Sequence, residues 1–153
     1  MNKITDPLNQ TFSWKKITHK KYKYKTTRLY HLMLRFKPLA NINGRYYQFL
    51  TNGYLLICKD YVWDGASGPT LDTKNTMRAS CVHDVLYQMI REQKLRLEMK
   101  DNADKELARI MEEDWKACNI LTKTWNKVRS SYYYWGVRLF GRWSCVPGSQ
   151  KPT

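Results

Sequence analysis

Residues 44–63, GRYYQFLTNGYLLICKDYVW, decide the fold. Two runs of aromatic and aliphatic residues, 44–50 and 54–63, flank Thr51-Asn52-Gly53. Asn-Gly is the strongest short hairpin signal. The stretch therefore predicts an antiparallel hairpin. After Trp63 the texture changes to DGASGPTLDTKN (64–75), a loop composition. From about Thr76 to Lys94 the residues Ala79, Val82, Leu86, Met89 and Ile90 recur at helical spacing. Asp101-Asn102 reads as the cap of a second helix running to about Cys118, with Leu107, Ile110, Met111 and Trp115 on it. A third helix is expected over 122–140, ending at Gly141, with 142–153 as a tail. Strands first and helices after make an α+β chain: an N-terminal antiparallel sheet of hairpins, then two to three packed helices, in a single domain over 1–153.

On the N-terminal side, 14–43 form a basic arm. Its 14–37 portion, WKKITHKKYKYKTTRLYHLMLRFK, contains no acid. Lys21-Tyr22-Lys23-Tyr24-Lys25 alternates with strand period, giving one cationic and one aromatic face. Lysines also guard edge strands against aggregation. The functional reading is a polyanion contact by Lys20, Lys21, Lys23 and Lys25, with tyrosines stacking on bases or lying at a membrane interface.

The composition is that of a folded domain: 153 residues, 42% hydrophobic and 26% charged. With 27 Lys and Arg against 13 Asp and Glu, the formal net charge is +14. Such a balance argues against a cationic substrate and favours nucleic acid, an anionic membrane surface or an acidic partner. Cys58, Cys81, Cys118 and Cys145 form no CxxC pair and read as free thiols in a reducing compartment. The N-terminus has no apolar run of signal-peptide type, and no stretch reaches the ~20 apolar residues of a membrane span. The expected location is the cytosol of the cell that makes it, with later packaging or release left open.

Three pieces carry candidate chemistry: Asp64-Gly65-Ala66-Ser67-Gly68-Pro69 in the loop, His83-Asp84 with Tyr87 on the first helix, and Asp104 on the second. If the helices form an antiparallel hairpin, Asp104 comes back across from His83. It would then orient the imidazole, so that His83 could take a proton from water. Asp84 lies about 100° around the helix from His83. Asp64 and Asp84, with loop carbonyls beside Gly65, are oxygen donors suited to calcium. Gly65, Ser67 and Tyr87 are supporting residues; Ser67 is not in a GxSxG elbow. Each piece also has an ordinary reading: a satisfied core histidine, a turn at Asp64-Gly65, and a first-turn acid at Asp104 favoured by the helix dipole.

The motifs DYVWDGASGPT, MRASCVHDVLY, DNADKELARIM and YYYWGVRLFG, from about Asp60 to Trp143, resemble the phage and bacterial family called domain of unknown function 1353. The resemblance implies a bacteriophage or prophage source and no particular reaction. A shorter stretch resembles phospholipases of the A2 type. There it implies His83 as general base supported by Asp104, with Asp84 and Asp64 as calcium ligands. Three readings follow: a calcium-dependent, phospholipase-like hydrolase; a non-enzymatic phage virion or host-takeover protein whose His/Asp cluster is structural; and a polyanion- or nucleic-acid-binding protein.

Overall fold

The computed structural model describes residues 2–6, 8–65 and 74–116. The third helix expected over 122–140 lies outside them, as do the tail and loop residues 66–73.

Among the described residues eight strands precede two helices, which is the α+β arrangement. They are β1 (Asn2–Thr5), β2 (Thr11–Lys16), β3 (Tyr24–Thr26), β4 (Tyr30–Met33), β5 (Ile42–Asn43), β6 (Tyr47–Phe49), β7 (Tyr54–Ile57) and β8 (Val62–Trp63), then α1 (Lys74–Arg91) and α2 (Lys100–Lys116). The strands make two four-stranded antiparallel sheets, ordered β1-β2-β3-β8 and β4-β7-β6-β5. The period-2 pattern sets the faces. In β4, Tyr30 and Leu32 point inward and pair with Ile57 and Leu55 of β7, while His31 and Met33 face out. Both sheets and both helices share one core that includes Phe12, Trp14, Phe49, Leu55, Trp63, Val85, Leu86 and Ile110.

The Asn52-Gly53 turn joins β6 to β7, and Gly53 has φ +93. A Cβ there would also meet Leu34 O at 3.3 Å, so glycine is required twice over. The 44–63 stretch is nevertheless not one hairpin. Beyond Ile57 the chain leaves its sheet and joins the other as β8. Asp60, at φ 72, makes the bend. Thr26 latches it: its Oγ1 donates to Cys58 O at 2.8 Å and accepts from Tyr61 N at 3.0 Å.

The alternating 21–25 run is only partly strand. Residues 17–23 form the β2–β3 connection, closed by Ile17 N donating to Lys23 O at 2.9 Å. The second helix also starts differently from the sequence reading. A 3₁₀ turn at Leu97–Met99 leads into α2, so Asp101 sits in the first turn rather than at a cap. Among the described residues no helix is long and apolar enough to cross a membrane.

Candidate functional site

The two helices run antiparallel, because cross-helix partners decrease on one as they increase on the other: Arg78 meets Asp114, and His83 and Tyr87 meet Asp104. The Leu95 side chain, buried between the helices' ends, accompanies a reversal at 92–95. Lys94 N donates to Met89 O and Gln93 N to Ile90 O, both at 2.9 Å, with Gln93 at φ 56. That is a Schellman motif with glutamine where glycine is usual.

The reversal brings Asp104 to His83. Nε2 of His83 lies 2.9 Å from Asp104 Oδ1, and the Tyr87 hydroxyl donates to the same oxygen at 2.6 Å. Lys100 Nζ donates to the other oxygen at 2.7 Å. Asp104 is 0% exposed and His83 6%. Burial lowers His83 below its ordinary value, against the opposing bond to Asp104. Burial would raise Asp104, but the bonds from His83, Lys100 and Tyr87 outweigh it and hold the carboxyl low. The result is a neutral imidazole donating through Nε2 to a carboxylate, which leaves Nδ1 as the ring nitrogen able to take a proton. Lys100 was not singled out in the sequence; the i, i+4 spacing to Asp104 was its signal.

Asp64 follows β8, whose Trp63 Nε1 donates to Ser80 Oγ of α1 at 3.2 Å. Gly65 has φ 88, a conformation suited to glycine. Ser67 lies outside the described residues. Asp84 lines a niche of about 40 Å³ with Tyr22, Tyr61, Gln88 and Arg91. Among the described residues no three His, Cys, Asp or Glu side chains gather as a metal-holding group. Asp64 and Asp84 are two donors where calcium takes about six to eight. They do not make up its shell by themselves.

Arg78 belongs to a second buried network, which the sequence did not reveal. It is 2% exposed. Its Nε donates to Asp114 Oδ1 at 2.9 Å, and Nη1 donates to the Tyr30 hydroxyl at 2.9 Å. Tyr30 in turn donates to Asp6 Oδ2 at 2.8 Å. Asp6 also accepts from Leu8 N and Gln10 N, each at 2.9 Å. The network ties the β1–β2 turn, β4 and both helices together.

The basic arm presents a different kind of surface. Lys15, Lys16, Lys20, Lys21 and Lys23 are exposed along the β2–β3 hairpin and its tip, where the His19 and Tyr22 rings stack at 5.3 Å. Lys25 is engaged: its Nζ lies 2.8 Å from Asp60. The bond from Lys25, with Lys59 and Lys15 nearby, holds Asp60 below the usual carboxylate range. Lys15 and Lys16 close strand β2 just before the tip and are exposed beside it.

Compared with protein-family models, curated proteins and solved structures, the chain matches none.

Proposed function

We propose that this is a nucleic-acid-binding protein that grips phosphates with the β2–β3 hairpin. The observation that carries the reading is the row of exposed lysines, 15, 16, 20, 21 and 23, around the stacked His19–Tyr22 pair, in a stretch of sequence with no acid of its own. Lysines supply counterion-releasing contacts, and an aromatic face among them offers a sequence-tolerant platform for a base. A membrane surface suits the hairpin less well. The large apolar side chains exposed among the described residues are Leu8, Leu29, Met33, Leu39, Tyr54 and Leu97, and none lies within 15–25 to enter a bilayer. In this reading the His83–Asp104 pair is a buried strut between helices, and the phage source implied by the 60–143 motifs makes the chain a virion or host-takeover component.

The reading is tested by fluorescence anisotropy with a labelled single strand, its duplex, and anionic vesicles. Changing Lys20, Lys21 and Lys23 to Gln should abolish most of the strand affinity, while Lys25→Gln, already paired with Asp60, should do less. Vesicle binding tighter than strand binding would overturn the assignment.

One observation favours a hydrolase instead: Asp104 occupies Nε2 of His83, so Nδ1 is oriented by a carboxylate-held ring, as a general base requires. Lipid hydrolysis by the wild type that His83→Gln abolishes and added calcium enhances would establish that reading over the first.

A further inference from the structure

A groove of about 490 Å³ runs between the stretch leading into β5 and the turn from α1 to α2. Its volume falls within the range of small-molecule sites. Ile42 and Leu95 are buried in its floor and Met99 is half-buried. Leu39, 87% exposed, forms its lip. A lone exposed leucine is ordinary. Here it lines the same groove as Ile42, Leu95 and Met99, and three cations, Lys37, Lys94 and Arg96, share the lining with no carboxylate. Lys94 and Arg96 reach outward to Glu92 at 2.7 Å and Glu98 at 3.1 Å. Both pairs are solvent-exposed, so they hold weakly and can exchange for another anion. Lys37 has no ion-pair partner among the described residues.

We infer that this groove binds an alkyl chain carrying a single anionic head, carboxylate or phosphate, with the chain on Leu39, Ile42 and Leu95 and the head among Lys37, Lys94 and Arg96. An added peptide strand fits less well, because the neighbouring edge strand β5 has only two residues to offer a ladder. The site is separate from the lysine hairpin and does not depend on nucleic-acid binding.

Calorimetry and amide chemical-shift mapping on the full chain test it, with laurate and dodecyl phosphate below their micelle concentrations and octyl glucoside as the neutral control. Saturable one-to-one binding is expected, with shifts centred on residues 37–43 and 94–99; the tighter of the two anions identifies the head. Leu39→Asp should remove the binding. The Lys37→Ala/Arg96→Ala double variant should weaken it by about tenfold or more, the scale of losing charge-assisted contacts. All three positions are exposed, so the variants keep the core intact. No saturable binding, equal binding of the neutral amphiphile, unchanged affinity in both variants, or shifts confined to the 15–25 hairpin would each overturn the inference.

Discussion

His83 shows how a single residue's surroundings set its charge and, through it, the pH response of the fold. Its folded pKa is below the ordinary 6.5 because it is buried. The unfolded chain therefore takes the proton first as pH falls. The histidine's contribution is complete above pH 6.5 and is lost as pH drops through 6.5 toward the lower folded value. Asp104, held below 3.8, acts in the same sense only in stronger acid. Asp114 acts in the opposite sense: burial, only partly offset by Arg78, pushes its carboxyl up to about 6 from 3.8. Its stabilising contribution is therefore present below 3.8 and lost as pH rises through about 6. A comparison of wild type with His83→Gln cancels Asp114. At pH about 7 the variant should be less stable by about 1 kcal/mol, one hydrogen bond's worth. That gap should shrink as pH falls below 6.5, where the histidine of the unfolded wild-type chain takes its proton before the folded one does. Tm measured across this range checks it; a constant gap would mean that His83 is not held neutral. Of the candidate residues, His83, Tyr87 and Asp104 were legible as neighbours, because an antiparallel helix pair returns position 104 to 83. The partners of Asp84 were not legible, since nothing in the local sequence tells which loop covers a helix face.

Among the elements, the α1–α2 pair depends on two features that the periodicity does not display. One is the Gln93 reversal, invisible to a search for a glycine stop. Gln93→Gly should relieve the left-handed backbone at φ 56 and leave the fold unchanged or more stable by up to about 1 kcal/mol, read from urea unfolding. The other is Arg78. The structure gives it to Asp114, Tyr30 and Glu113. Helical spacing reveals which residues face inward, but not that an arginine will be buried against two acids of the other helix and a strand tyrosine. Arg78→Met should cost about 3–5 kcal/mol by leaving Asp114 and its neighbours without their cation. A loss below ~1 kcal/mol would show that the buried network does not hold the elements together. The Asn52-Gly53 hairpin was legible because its turn chemistry is local. The transfer of 62–63 to the other sheet was not, because it depends on Thr26, more than thirty residues away.

Taken whole, the molecule carries +14 charges and displays many of them on one hairpin. Charge of this sign governs partners and association rates rather than fold. It also makes the central claim measurable with one variable, salt. Each lysine that meets a phosphate releases a counterion, so five contacts on a single strand should lower the affinity about 100-fold between about 50 and 200 mM salt. The most direct measurement is the slope of log Kd against log salt for wild type and for the chain with Lys15, Lys16, Lys20, Lys21 and Lys23 changed to Gln. The account predicts a slope of about 3.5 for wild type that falls to near zero in the variant. Equal slopes in the two proteins would contradict it, because the strand would then be held by some other face of the molecule.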